Sequence, residues 1–131
     1  YEMLRSLVGS EMCIRDSFNA QGMEGINLKI SKFAGLTGSK LGRDLADSLG
    51  LRVTIEDTWG GDLVTAAVSH LAASTRPEQV ITVSFMNDWN NEHIAGYQPR
   101  SKNGIGSVPA EPGLGVDVDV KSLGTPLFVS K

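Results

Sequence analysis

The segment Ile26–Ile55, INLKISKFAGLTGSKLGRDLADSLGLRVTI, decides the fold. Its first six residues alternate apolar and polar with period two. That reads as a strand with Leu28 and Ile30 on one face and Asn27, Lys29 and Ser31 on the other. Gly35 and Gly38 then punctuate the chain. From Lys40 to Leu49 the period changes. Leu41, Leu45 and Leu49 recur every four residues, the stripe of a helix, and Gly50 follows as its C-cap. Leu51–Ile55 begins a second strand, with Val53 and Ile55 on one face.

The alternation continues downstream. Asp57-Thr58-Trp59-Gly60-Gly61-Asp62 is a loop ending in an N-cap candidate, Asp62. Leu63–Ser74 reads as a helix with Val64, Ala67, Val68 and Leu71 inward, and Gln79–Ser84 as a third strand. Strands alternating with helices imply α/β architecture with parallel strands. A three-stranded open sheet leaves apolar edges uncovered. A complete (β/α)8 barrel takes about 250 residues, so this chain has room only for a barrel's last strands. After Asn87 the alternation stops. Turns at Asn103-Gly104, Pro112-Gly113 and Gly124-Thr125-Pro126 mark an irregular closing segment, with Leu127-Phe128-Val129 as a candidate terminal strand.

Composition narrows the function classes. The 131 residues are 40% hydrophobic and 21% charged, with net charge −3, an ordinary globular mix. No bulk positive charge attracts nucleic acid or an anionic membrane. No apolar run approaches the roughly 18 residues that span a bilayer. The single cysteine, Cys13, excludes an internal disulfide and a cysteine zinc cage, and fits a cytoplasmic setting. Residues 1–17 stand apart. They lack the apolar stretch of a secretory signal, and VGSEMCIRDS resembles translated sequencing-adapter bases found at the ends of assembled genes. We expect 1–17 to be a non-native tail, with the natural chain starting near Phe18 and truncated on its N-terminal side.

In parallel α/β units chemistry gathers at the C-terminal ends of strands. Three places qualify. Lys29 lies on a strand within an apolar block. Either it snorkels outward or pairs with a carboxylate, or it is a desolvated amine, or one beside a metal ion, able to take a proton. Glu56 and Asp57 follow the second strand. Adjacent carboxylates in extended chain point to opposite faces, so one lines a pocket while the other pairs locally. Thr58 and Trp59 follow, Trp59 either walling a small ligand or packing under its loop. Gly60 and Gly61 open a helix whose free N–H groups suit an anion, although Asp62 competes as its cap. Asn87 and Asp88 follow the third strand as polar loop residues. His70 reads as structural and His93 as isolated. No HxxxH, CxxC, Walker loop, GxSxG or GxGxxG pattern occurs.

The strings INLKISKFAGLT (26–37) and TIEDTWGGDLVTAAVSHLAAS (54–74) resemble the C-terminal part of the enolase superfamily. The subgroup is that of muconate-lactonizing enzyme and mandelate racemase. The likeness is nearest to cis-3-hydroxy-L-proline dehydratases and hydroxyproline-betaine epimerases. NGIGSVPAEPGLGVDVD and LGTPLFV resemble that group's closing segment. The resemblance implies strands six to eight and the closing tail of a modified (β/α)7β TIM-type barrel over 18–131. It makes Lys29 one of two acid/base lysines that face each other across the substrate. Asp57, Thr58, Trp59, Gly60, Gly61 and Asn87 become pocket residues. It further implies a small carboxylate substrate, Mg2+ held by carboxylates on strands outside this chain, and a homo-oligomer when full length. The activity implied is removal of the proton α to a carboxylate followed by loss of water. A racemase or epimerase of the subgroup and an acid-sugar dehydratase stand as alternatives, and a non-catalytic α/β binding module as one of another class. The chain alone is expected to be inactive.

Two departures accompany the likeness. Relatives carry Gly-Gly after the sixth strand, where this chain has Ala34-Gly35. They carry Thr-Asp-Phe-Asn after the eighth, where it has Ser84-Phe85-Met86-Asn87. The first is mild unless the leading position needs positive φ. The second puts an amino-acid substrate in doubt if that aspartate meets the substrate's ammonium.

Overall fold

The computed structural model describes residues 18–129 together with Ile14 and Asp16. The reading of 1–17 as a foreign tail otherwise lies outside the described residues. Three strands, β1 (Gly25–Lys29), β2 (Arg52–Glu56) and β3 (Val80–Val83), form a parallel sheet in the order β1-β2-β3. Helix α1 (Leu36–Ser48) connects β1 to β2, and α2 (Asp62–Ala73) connects β2 to β3. Register pairs Leu28 with Ile55, Ile55 with Val83, and Lys29 with Glu56, with a shift between Val53 and Thr54.

Alternation along the strands sorts the two faces of this sheet. Leu28, Ile30, Val53 and Ile55 point to the helices and form a core with Phe33, Ala46, Leu51, Val68 and Leu71. Ile14 is buried in the same cluster. The opposite face carries Asn27, Lys29, Thr54, Glu56 and Thr82, and no described helix covers it. An uncovered face made of polar side chains incurs little hydrophobic penalty, which is why this sheet can be apolar on one side only.

Helix α1 is longer and turned differently from the leucine stripe. It starts at Leu36, four residues earlier than the periodicity predicts, because Gly38 lies within it and Ser39 back-bonds to the Gly35 carbonyl at 2.9 Å. Its buried residues are Ser39, Gly42, Arg43 and Ala46, while Leu41 is 57% exposed. Small residues let the helix lie close to the sheet: a Cβ on Gly42 would stand 2.7 Å from the Phe33 ring. Arg43 reaches the end of α2, donating from Nη1 to the Ser74 carbonyl at 2.9 Å. Gly50, with φ 71°, closes α1 in a Schellman turn, Leu51 N–H donating to the Ala46 carbonyl at 2.9 Å.

Two local expectations need correction. Asp62 is the first residue of α2 and buried, and the cap is Gly61, with no side-chain bond to the helix. Leu127–Val129 forms no strand and lies exposed. Ala34 has φ 55°, so the position where the resemblance expects glycine does require the left-handed region. That departure is therefore strained rather than mild.

Candidate active site

The C-terminal ends of β1 and β2 bring Lys29 and Glu56 together on the open face. Lys29 Nζ lies 3.0 Å from Glu56 Oε1, with the two side chains 35% and 18% exposed. Asn27 Nδ2 donates to the same oxygen at 2.7 Å, and Ser84 Oγ donates to Glu56 Oε2 at 3.3 Å. Burial pushes the Glu56 carboxyl up. The hydrogen bonds from Asn27, Lys29 and Ser84 and the charge of Lys29 outweigh it and hold the group below the usual glutamate range.

Asp57 turns the other way, as its neighbour's alternation requires. Its Oδ1 accepts from the Ser31 backbone N–H at 3.3 Å, the Ser31 hydroxyl and the Thr58 N–H at 2.6 Å. It therefore ties the loop after β1 to the loop after β2. Thr58 is exposed beside Ser31. Trp59 is 59% exposed and meets Trp89, 73% exposed, edge to face at 6.2 Å between centroids. Gly60 has no room for a side chain, because a Cβ would overlap Val64. Its carbonyl accepts from Asn90 Nδ2 at 3.2 Å. The Gly61 carbonyl starts α2 by accepting from Thr65 N–H at 3.0 Å.

Asn87 is not on the open face. It is fully buried, and Nδ2 donates to Asp62 Oδ1 at 3.0 Å and to the Pro99 carbonyl at 2.6 Å. Its Oδ1 is buried without a hydrogen-bond partner among the described residues, and through Nδ2 the residue supports the loop after β3 instead of facing the open side of the sheet. Asp62 also accepts from Ala95 N–H at 2.8 Å and contacts His93 Nδ1 at 3.1 Å. Burial raises its carboxyl, but the Asn87, Ala95 and His93 contacts prevail and hold it below the ordinary aspartate value. His93 is thus not isolated, and it stacks on Tyr97 with centroids 4.2 Å apart. Asp88 accepts from the Tyr97 hydroxyl at 3.1 Å and from the Ser101 hydroxyl. His70 anchors the closing segment, Nε2 lying 3.2 Å from the Leu114 carbonyl.

Phe85 leaves the open face to Ser84. Its ring fills the space over Gly106, where a Cβ would overlap it, and helps line a groove of about 760 Å³ between α2, β3 and residues 101–108. That groove runs along the edge of β3 that pairs with no strand among the described residues, and neither Lys29 nor Glu56 lines it. Glu56 is the functional candidate that the sequence reading left unchosen. Continuing period two from Thr54, with parallel register opposite Lys29, is the signal that finds it. Among the described residues no three His, Cys, Asp or Glu side chains are grouped to hold a metal ion, so these residues do not themselves fit a Mg2+ site.

The enolase C-terminal domain-like family model matches residues 8–122. The chain belongs to that family. Over 105 residues it is 47% identical to the cis-3-hydroxy-L-proline dehydratase of Roseibium aggregatum. That match takes in 80% of this chain and 29% of the relative, so the chain spans less than a third of the dehydratase's length. Among solved structures, a member of the enolase superfamily from Roseovarius nubinhibens superposes with TM-score 0.83 at 30% identity, covering 89% of this chain and 32% of the other. Another from the same organism, complexed with magnesium, gives 0.81 at 31% identity, with 89% and 32% covered. A mandelate racemase/muconate lactonizing enzyme from that organism gives 0.80 at 34% identity, with 87% and 31% covered. Membership of the enolase family gives the open polar face a context. No helix among the described residues is long and apolar enough to cross a membrane.

Proposed function

We propose that this chain is the C-terminal part of a hydro-lyase of the cis-3-hydroxy-L-proline dehydratase type, in which Lys29 is an acid/base group. In this reading β1, β2 and β3 are strands six, seven and eight of a modified (β/α)7β barrel, and the open polar face lines the barrel's interior. The observation that carries it is Lys29 on that uncovered face, at the C-terminal end of β1 and paired with Glu56. The 47% identity to a dehydratase supports the reaction class. The unpaired outer edges of β1 and β3 among the described residues favour a part of a larger sheet over a self-contained binding module.

The chemistry needs a carboxylate substrate with a proton on its α-carbon. Lys29 as free amine takes that proton, and the C–H electron pair moves toward the substrate carboxylate. Collapse of the resulting enediolate expels the 3-hydroxyl, which leaves as water after gaining a proton. Phe85 stands after β3 where the resemblance expects an acidic residue, so that position supplies no counter-charge to a substrate ammonium. In this reading Mg2+ is held by carboxylates outside this chain. A cytoplasmic homo-oligomer acting on a small carboxylate completes the reading.

The test is Lys29→Ala in the full-length protein, with cis-3-hydroxy-L-proline followed by NMR in deuterated water. Loss of α-proton exchange is the expected result, and retained exchange sinks the role of Lys29. Product analysis of the parent protein separates elimination from inversion: a dehydrated product supports the lyase, and a stereoisomer of the substrate supports an epimerase.

A further inference from the structure

The Lys29–Glu56 contact is framed by all three strands. Glu56 stands opposite Lys29 in the parallel register. Asn27, two residues before Lys29 on β1, fixes one carboxylate oxygen, and Ser84, just past β3, fixes the other. An ordinary surface pair such as Lys40–Asp44 on α1 has both ends well exposed, in i,i+4 spacing. Such pairs contribute little and hold little in place. Glu56 differs in being mostly buried and held through both oxygens. A carboxylate so fixed does not follow the flexible amine. It sets where the amine rests.

We propose that Glu56 is a positioning residue for this reaction, holding the Lys29 amine over the open face and balancing the charge that Lys29 gains with a proton. The inference rests on the reading of Lys29 as acid/base. Acid–base groups gain from a third group that orients them and offsets the charge they acquire. Here the α-C–H bond breaks, an N–H bond forms at Nζ, the electron pair stays with the substrate, and Glu56 remains ionised throughout. Ser84 and Asn27 act one step further back, by keeping Glu56 in place.

The experiment uses the full-length protein with cis-3-hydroxy-L-proline, measuring kcat, KM and α-proton exchange for Lys29→Ala, Glu56→Gln and Ser84→Ala. Glu56→Gln keeps shape and removes charge. Its expected effect is a loss in kcat and exchange on the order of 100-fold, with KM nearly unchanged. Ser84→Ala is expected to show a smaller loss in kcat, again without a rise in KM. A raised KM at unchanged kcat in Glu56→Gln overturns the proposal, because Glu56 is then a substrate contact. Unchanged kcat and KM overturn it too. If Glu56→Gln does not fold, Ser84→Ala and Asn27→Ala decide in the same way: a kcat loss supports it, and wild-type kinetics overturn it. Lys29→Ala keeps the two failures apart. Exchange retained there sinks the acid/base reading itself, whereas exchange lost there and intact in Glu56→Gln sinks only the positioning role.

Discussion

His93 Nδ1 lies 3.1 Å from Asp62 Oδ1, and this contact pins the segment that follows β3 to the first turn of α2. The same carboxylate takes Asn87 Nδ2 and Ala95 N–H. Three elements of the closing segment thus converge on one buried acid. Removing its charge leaves their donors without an acceptor in a dry site. Asp62→Ala in the full-length protein is expected to cost about 3 kcal/mol in urea denaturation at neutral pH. A cost near zero would show that the segment is held by other contacts.

The same group sets an acid limit. The Asp62 carboxyl is held below its ordinary value of 3.8, so the folded state binds its proton less readily than the unfolded one. Its stabilisation is complete above that ordinary value and drains away as pH falls through the lower folded value. Glu56, lowered from 4.5, acts in the same direction. Melting temperature measured downward from pH 6 should fall steeply below about pH 4. In Asp62→Asn, which cannot ionise, the slope should be shallower, and an equal slope would remove Asp62 from the account.

Ala34 holds φ 55° between β1 and α1, where glycine incurs no Cβ clash. Left-handed backbone costs a residue with a Cβ about 1–2 kcal/mol, and glycine's extra freedom when unfolded takes back part of that gain. Ala34→Gly is expected to stabilise the protein by about 0.5–1 kcal/mol. Chemical denaturation checks it, and a destabilised variant contradicts the strain.

These particulars show what the one-dimensional pattern could carry. Period two placed Leu28 and Ile30 on one face and Lys29 on the other, and the loop carboxylates diverge as adjacent extended residues must. The pattern also misled in identifiable ways. Leucines mark a helix's greasiest stripe, but α1 packs on the side where Gly42 and Ala46 allow close approach, so Leu41 faces out. Asp62 read as a helix cap and Asn87 as a polar loop residue at a pocket, yet each is buried against the other across 25 residues of chain. Such long-range partners leave no local spacing. The Lys29–Glu56 pair was readable in principle, since register and period together put both on one face. The choice between the two adjacent acids needed only the count from Thr54.

Gly60 joins β2 to α2 in a space shaped by Val64, where an added methyl overlaps the valine. Gly60→Ala should destabilise by about 1–3 kcal/mol through overpacking. Because Trp59 adjoins it, the loop at the strand ends should shift and KM should rise. Combining it with Val64→Gly removes the Cβ that would stand 2.4 Å from the added carbon together with both methyls, so the double variant should lose less than the sum of the two single changes. Additive losses in the denaturation series would place the strain elsewhere.

The outer edges of β1 and β3 have no strand partner among the described residues, and Ile81 on β3 is exposed. Ile105, which shares the groove with Ile81, is exposed too, as are Leu123, Leu127 and Phe128 in the closing segment. Unpaired edges flanked by apolar side chains are templates for association. The 131-residue chain, expressed alone, is expected to self-associate in a concentration-dependent way by light scattering. Mg2+ should leave its melting unchanged, since no described carboxylate group is arranged to bind it. Charge at the edge should suppress the association: Ile81→Lys places a cation on the free strand and is expected to shift the chain toward monomer. A chain that stays monomeric at high concentration and melts cooperatively would instead favour a self-contained module, and would count against the barrel-fragment reading on which Lys29's role depends.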